Sequence, residues 1–119
     1  MKTVENNGVR VAVCDFTTNI GTISDVLDLL ATATYGSNAC GLVLYKESLP
    51  EIFFDLKTGF AGDVLQKFSN YRMKLAIVGD FSQYTSQSLK DFIYECNKGR
   101  LVYFKRSLDD AMTALTASP

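Results

Sequence analysis

The amino-acid sequence predicts a single α/β domain with the element order ββαβαβαβα, built on a mixed, mostly parallel sheet. The length of 119 residues suits one domain with a conventional core. Asn7-Gly8 lies between two apolar runs and indicates an initial hairpin, because both turn positions favour positive φ. Short apolar runs then alternate with segments of helical periodicity, which predicts about five strands, about four helices and right-handed crossovers.

The hairpin strands are predicted as β1 at about residues 2 to 6 and β2 at about 9 to 15. In the second half of β2, Ala12 and Cys14 are apolar as well as Val11 and Val13. A strand that is apolar on both faces is covered on both faces, so we expect β2 in the interior of the sheet.

A helix should follow β2, with Thr22 or Ser24 as its N-cap and Gly36 at its end. The next apolar run, residues 40–45, predicts β3. Pro50 after Ser48 suggests a brief helical turn over residues 49–55, fixed to the core by Phe53 and Phe54. The apolar stripe predicted for the first helix is Ile23, Val26, Leu27, Leu30 and Ala33 or Thr34.

Residues 53–62 form a polar loop that leads into a third helical segment. Thr58 is predicted to cap this helix, and Gly59 and Gly62 leave its first turn nearly bare. Backbone N–H groups here could hold a phosphate, but the lysine and hydroxyl of a P-loop are missing, and close packing of the helix start explains the glycines better. The buried stripe predicted for this helix is Phe60, Val64, Leu65, Phe68 and Tyr71.

The last third of the chain predicts β4 at residues 73–79, a helix, β5 at 100–105 and a terminal helix. Gly99 stands where a C′ glycine is expected, and Ser107 is the expected cap of the terminal helix. The helix between the strands should bury Leu89, Phe92, Ile93 and Cys96.

The composition excludes several classes of function. Twelve basic and 13 acidic residues give a net charge of -1, so no global field attracts nucleic acid or an anionic membrane. The chain has no histidine, which removes the commonest general base and zinc ligand. We therefore expect no metal, no cofactor and no nucleic-acid or membrane partner, and we find no catalytic motif.

The three cysteines, Cys14, Cys40 and Cys96, are odd in number and far apart, as is typical of reduced thiols. The amino terminus lacks the apolar segment of a signal peptide. Both observations predict a cytoplasmic protein.

Ligands and partners of parallel sheets usually meet the loops beyond the carboxyl ends of the strands. Here those loops begin at Asp15, Lys46, Asp80 and Lys105, and we call them the rim. A phosphorylation receiver would need an acidic pair after its first parallel strand, whereas this chain offers one aspartate. We therefore expect the rim aspartates to be caps or turn residues.

Three segments, residues 53–59, 74–86 and 91–97, closely resemble an uncharacterised bacterial family, the domain of unknown function numbered 4180. Their sequences are Phe-Phe-Asp-Leu-Lys-Thr-Gly, Lys-Leu-Ala-Ile-Val-Gly-Asp-Phe-Ser-Gln-Tyr-Thr-Ser and Asp-Phe-Ile-Tyr-Glu-Cys-Asn. The resemblance covers nearly the full length and implies no activity.

The order of elements also resembles the STAS fold of anti-sigma-factor antagonists. In those proteins an Asp-Ser-Ser-Gly motif opens a helix, and a kinase phosphorylates its first serine to switch binding of an anti-sigma factor. Matching Gly59 to the motif's glycine places Thr58 at the second serine and Lys57 at the phosphorylated one, so the acceptor is absent. A phosphate on Thr58 would still lie at a helix N-terminus, which favours an anion.

The leading prediction is a small STAS-like protein-binding or regulatory module that acts through residues 15–19, 55–62 and 80–85. Its partner would be a regulator, a kinase or a second copy of the chain. One alternative is a small-ligand binder or enzyme that uses Asp55, Lys57 and Asp80, and another is a homo-oligomeric structural module that pairs through the β1 edge. The candidate binding residues are Asp15, Asp55, Lys57, Thr58, Gly59, Phe60, Gly62, Asp80, Phe81 and Tyr84.

Overall fold

The computed structural model describes residues 1–117, which form one five-stranded sheet whose strand order follows the chain. The first two strands are antiparallel and all later neighbours are parallel. This arrangement confirms the predicted mixed, mostly parallel sheet. The strands are β1 Lys2–Asn6, β2 Val9–Val13, β3 Gly41–Tyr45, β4 Lys74–Val78 and β5 Val102–Lys105.

Five α-helices connect or follow the parallel strands. The brief helical turn predicted after β3 is a separate short helix, α2, with a 3₁₀ turn on either side, Lys46–Ser48 and Leu56–Thr58. The first helix continues into a π-helical turn, Thr32–Gly36. The helices are α1 Ile23–Ala31, α2 Glu51–Phe54, α3 Phe60–Asn70, α4 Gln87–Lys98 and α5 Leu108–Thr116.

The hairpin between β1 and β2 has the geometry that its sequence predicts. Asn7 and Gly8 have φ angles of 55° and 78°, so both turn residues occupy the left-handed region. This turn fixes the register in which Asn6 lies opposite Val9 and Val4 opposite Val11. That register also determines which β2 side chains point to each face of the sheet.

Helices cover the two faces of the sheet unequally. Because strand order follows chain order, right-handed crossovers place the connecting helices on one face, and α5 packs on the other. The larger core, between the sheet and α1 to α4, includes Leu30, Leu42, Phe53, Phe68 and Leu75. The smaller core, under α5, includes Val11, Val43, Ala76, Ala111 and Leu115.

Three helices have side-chain caps, of which two were predicted and the third, Ser86, was not. Thr22, rather than Ser24, caps α1: its hydroxyl accepts the N–H of Asp25 at 3.2 Å, and the Asp25 carboxylate accepts the N–H of Thr22 at 3.0 Å. Ser107 caps α5 by accepting the N–H of Asp110 at 3.1 Å, as predicted, and Ser86 caps α4 in the same way through Leu89 at 3.3 Å.

Two details of the helices differ from the prediction. Leu27 is 37% exposed, and the partly buried Leu29 packs against the core beside Val26 and Leu30, so the apolar stripe of α1 is rotated from its predicted position. Gly99 follows the last residue of α4 with φ -88°, which is outside the left-handed region of a C′ glycine. A side chain is thus sterically tolerated there.

Candidate functional site

Four of the described helices begin at the rim, beside the carboxyl ends of the parallel strands. Each crossover leaves the carboxyl end of a strand and enters a helix, so α1, α3 and α4 begin at this end of the sheet, and α5 begins here after β5. The short helix α2 lies within the longest crossover, between β3 and β4. The candidate binding residues from 55 to 62 therefore lie at the same end as Asp15 and Asp80, as the order of elements predicts.

An aromatic cluster supports the rim, and we call its members Phe53, Phe54, Phe81, Tyr84 and Phe104 the rim aromatic cluster. Phe54 stacks on Tyr84 with ring centroids 5.0 Å apart and an interplanar angle of 16°. Phe81 meets Phe104 edge to face at 5.3 Å and lies 6.1 Å from Phe54. Phe81 and Tyr84 are only partly buried and pack against the core, so much of each ring supports the loops.

The hydroxyl of Tyr84 is buried and has no hydrogen-bond partner within residues 1–117. Burial raises the pKa of this phenol, and the nearby carboxylates of Glu51 and Glu47 raise it further. The Lys46 ammonium lies 5.1 Å from the centroid of the Tyr84 ring, at cation-π distance. Tyr84 thus combines a buried, unpaired hydroxyl with a neighbouring cation at the rim.

Gly79 lets Lys46 pass close to the end of β4. A Cβ atom added at Gly79 would lie 2.6 Å from the Cβ of Lys46, which is closer than two non-bonded carbon atoms can approach. The contact involves the base of the lysine side chain, which cannot rotate away as its tip could. Glycine at position 79 therefore allows the Lys46 side chain to pass this close to the end of β4.

A groove of about 390 Å³ opens beside the rim aromatic cluster. It lies between residues 51–58, which we call the α2 region, and the start of α4, and we call it the α2–α4 groove. Its walls supply one ammonium, one carboxylate and two hydroxyls around apolar surface. Ser86, one of the hydroxyl residues, is the N-cap of α4. The lining residues are Phe54, Asp55, Leu56, Lys57, Ser86 and Ser88.

The prediction that Thr58 is the N-cap of the following helix is wrong by one residue. Gly59 is the N-cap of α3, with φ 78°, and Thr58 ends the preceding 3₁₀ turn. The Thr58 hydroxyl lies 2.8 Å from the carbonyl oxygens of Ile52 and Asp55, to which it can donate, and accepts the N–H of Phe60 at 3.2 Å. Gly59 takes the cap position because the chain reverses there through a left-handed conformation.

Close packing does not explain the two glycines at the start of α3, contrary to the prediction. A Cβ atom added at Gly59 or Gly62 would meet nothing within 4 Å. Gly59 is required by its positive φ angle, whereas Gly62 faces open space. Phe60 is 9% exposed and belongs to the core. It therefore holds the start of α3 against the core and leaves little surface for a partner.

The rim aspartates form turns, as the sequence predicts. Asp15 accepts the N–H of Thr17 at 2.9 Å and also the Thr17 hydroxyl, and Asp80 accepts the N–H of Ser82 at 2.9 Å. Bonds from the side chain and backbone of Thr17 lower the pKa of Asp15, and bonds from Ser82 lower the pKa of Asp80. Both carboxylates are fully exposed and already engaged by their own turns.

A family model for the domain of unknown function DUF4180 matches residues 6–115 of the chain. The chain belongs to this family. Comparisons with curated proteins and with solved structures give no significant match.

The structure of this DUF4180 domain brings together only part of the predicted set. Asp55 and Lys57 line the same groove, with Thr58 next in the chain. Phe81 and Tyr84 lie in the neighbouring aromatic cluster. Asp80 is not among the groove's lining residues. Asp15 lines a different depression of about 310 Å³, formed with Met1, Lys2, Val13, Cys14, Phe16 and Tyr45.

The groove residues of α4 were not predicted from the DUF4180 sequence. Ser86 stands three positions before Leu89, a pattern that indicates an N-cap and could have placed this residue at the rim. Ser88 has no such signal, because only the packing of α4 against the α2 region brings it beside Lys57. Phe16 is 68% exposed and stacks on Tyr45 at 4.2 Å, and its exposure likewise depends on tertiary structure.

Two further observations bear on function. Among the described residues, no group of three or more cysteines, aspartates or glutamates is arranged to hold a metal ion. Nor does any helix within residues 1–117 have the length and apolar character needed to cross a membrane.

Proposed function

We propose that this DUF4180 domain is a small bacterial, cytoplasmic, STAS-like regulatory module that binds another protein through its rim, at residues 15–19, 55–62 and 80–85. The observation that carries the proposal is the α2–α4 groove, which opens beside exposed parts of the rim aromatic cluster. Partly exposed aromatic rings bordered by polar groups are typical of protein interface cores.

The chemistry of the groove fits a peptide segment of mixed character. Phe54 and Leu56 offer apolar contact, Lys57 and Asp55 offer opposite charges, and the hydroxyl of Ser88 can donate or accept a hydrogen bond. A peptide presents the same combination of apolar, charged and amide groups.

The proposal concerns the location of the binding surface and does not include phosphorylation of Thr58. Lys57 occupies the place of the serine that is phosphorylated in the STAS proteins this chain resembles. The Thr58 hydroxyl is also bonded to backbone groups on both sides. Modification would break these local bonds, so Thr58 acts as a turn residue in this proposal.

The experiment is affinity capture from the native lysate with quantitative identification of bound proteins. Lys57→Glu reverses the charge in the groove, and Ser88→Arg fills the groove from its α4 side. Both residues are exposed, so we expect both variants to fold. A genuine partner should be recovered at least about fivefold less with either variant, since one lost charged contact costs about 1 kcal/mol or more at a buried interface.

The matched control is Arg100→Glu, which reverses a charge of the same sign on an exposed residue before β5, at the opposite end of the sheet. This variant should recover the same partner as wild type. If all four proteins capture the same set in the same amounts, the α2–α4 groove is not the binding surface and the proposal is wrong.

A small-ligand binder that uses the same groove is the second candidate. The observation that favours it is the placement of Asp55 and Lys57 in one depression. Asp80, the third residue of the predicted set, is held in its own turn and does not line this groove. A screen of cellular metabolites by thermal shift would test this candidate, and a ligand that stabilises wild type and Lys57→Glu equally would contradict it.

A further inference from the structure

The backbone of β1 has one paired and one unpaired side. β1 is an outer strand of the sheet, and within residues 1–117 its only strand neighbour is β2. On β2, the Cys14 N–H donates to the carbonyl of Val43 at 3.0 Å, so Cys14 directs its backbone groups towards β3. Backbone direction alternates along a strand, and Val11 and Val13 therefore direct theirs towards β1.

This alternation determines which residues of β1 face outwards. Val4 lies opposite Val11 and shares its hydrogen bonds. Thr3 and Glu5, on either side of Val4, consequently direct their N–H and C=O groups away from the sheet. Both side chains are exposed, as are those of Lys2 and Asn6 at the two ends of the strand.

The opposite edge of the sheet, formed by β5, is partly covered. On β5, Lys105 accepts the N–H of Gly79 at 3.0 Å and so faces β4, which leaves Phe104 facing outwards. The side chain of Asn97, on α4, accepts the outward N–H of Phe104 at 2.8 Å. A helix thus satisfies part of the β5 edge, and within residues 1–117 the β1 edge has no equivalent cover. Unpaired N–H and C=O groups along a strand edge can pair with the backbone of another strand.

We propose that two copies of the chain pair antiparallel through β1, with Val4 opposite Val4 of the second copy. This surface is separate from the α2–α4 groove and does not depend on the proposed function. In this register Thr3 of each copy lies opposite Glu5 of the other, so both outward residues exchange their backbone hydrogen bonds. Lys2 then lies opposite Asn6, and every residue of β1 is paired. The two sheets become one continuous sheet.

Charge and hydrophobicity favour this register over its neighbours. Centring the pair on Glu5 would place two carboxylates directly opposite each other, which is destabilising. Centring it on Thr3 would leave Asn6 without a partner in the strand. In the Val4 register no two like charges lie opposite each other, and the two partly buried Val4 side chains meet at the centre.

The first test is sedimentation velocity over a concentration series. Wild type should approach the dimer mass with increasing concentration. Glu5→Pro removes an outward N–H and leaves the bonds between β1 and β2 intact, because proline is tolerated where an edge N–H faces solvent. It should be monomeric with an unchanged circular dichroism spectrum. Glu5→Ala loses the same side chain, including its ion pair with Arg10 at 3.6 Å, but keeps the N–H and should still dimerise.

The second test fixes the register by disulfide cross-linking. Cys40 is the exposed cysteine, so the background is Cys40→Ser. Directly opposed residues that are not hydrogen-bonded have Cα atoms about 4.5 Å apart, within the range for a disulfide. Val4→Cys should therefore give a covalent dimer on mild oxidation, whereas Thr3→Cys and the background alone should not.

Two results would overturn the proposal. A wild-type protein that stays monomeric up to its solubility limit excludes pairing through β1. Dimers that persist in Glu5→Pro, or that cross-link through Thr3→Cys in preference to Val4→Cys, show that a different surface or register is used.

Discussion

At the residue scale, three glycines that look alike in sequence have three different roles. Gly59 is required by a positive φ angle of 78°. Gly79 is required because the Lys46 side chain passes against it, and Gly62 has open space around it. The residues next to a glycine in sequence therefore do not reveal whether it is needed for a positive φ angle, for a close contact, or for neither.

Alanine substitutions at two of these glycines should have opposite effects. Gly79→Ala forces a methyl group onto the Cβ of Lys46 and should lower the free energy of unfolding by about 1–3 kcal/mol. Gly62→Ala lies within α3 and creates no contact, so it should raise the free energy of unfolding by about 0.5–1 kcal/mol. Urea denaturation of both variants beside wild type measures the difference. Equal effects at the two positions would contradict these assignments.

At the element scale, local sequence determines where most of the helices begin. Thr22, Ser86 and Ser107 each accept a backbone N–H from the first turn, and two of the three were identified among the candidate caps in the sequence. Two of the described helices have no side-chain cap: α2 begins after Pro50, and the start of α3 depends on the left-handed conformation of Gly59 and on the preceding turn. That turn exists because Phe53 and Phe54 are buried, which is a tertiary effect.

The capping box of α1 should make stability depend on acid pH. Asp25 accepts the N–H of Gly21 at 2.9 Å and of Thr22 at 3.0 Å, and these bonds lower the pKa of its carboxyl group. A carboxyl whose pKa is lower in the folded state stabilises fully above its unfolded pKa of about 3.9, and that contribution is lost as pH falls through the folded value.

We therefore expect Asp25→Asn to be less stable than wild type at neutral pH, with the two urea midpoints converging as pH falls below about 4. Asp91→Asn is the control for loss of one negative charge. The Asp91 carboxylate accepts the side-chain amide of Gln87 at 2.8 Å, whereas the Asp25 carboxylate accepts backbone N–H groups at a helix start. A constant difference between Asp25→Asn and wild type across this pH range would contradict the role assigned to the Asp25 charge.

At the scale of the whole molecule, one helix covers one entire face of the sheet. α5 is the only helix in the described residues that packs against the side of β2, β3 and β4 carrying Val11, Val43 and Ala76. Leu115 is 1% exposed and lies on Gly41, where an added Cβ would be 3.6 Å from both of its terminal methyl carbons. The smaller core therefore depends on a few side chains of the last helix.

Leu115→Ala should lower the free energy of unfolding by about 2–5 kcal/mol, because it leaves a cavity under α5 that neighbouring residues cannot fill. Leu108→Ala, at the first position of the same helix, is the matched control. Leu108 is 36% exposed, and its replacement should cost less than about 1 kcal/mol. Similar losses in the two variants, measured by thermal or urea denaturation, would mean that α5 does not close this core.

Sequence alone was sufficient to predict the order of elements along the chain, the hairpin turn and the turn roles of Asp15 and Asp80. These features depend on residues close together in the chain: the Asn7-Gly8 conformation, the period of apolar side chains and the reach of a short carboxylate to a nearby N–H.

Which rim residues meet depends on contacts between distant parts of the chain. Asp55 and Lys57 adjoin Ser88 because α4 packs beside the α2 region, while Asp80 is held apart in its own turn. The two edges of the sheet also differ for a tertiary reason, because folding places the Asn97 side chain where it accepts the outward N–H of Phe104 on β5. Such contacts join residues far apart in the chain, and the packing of the helices on the sheet sets the distances between them.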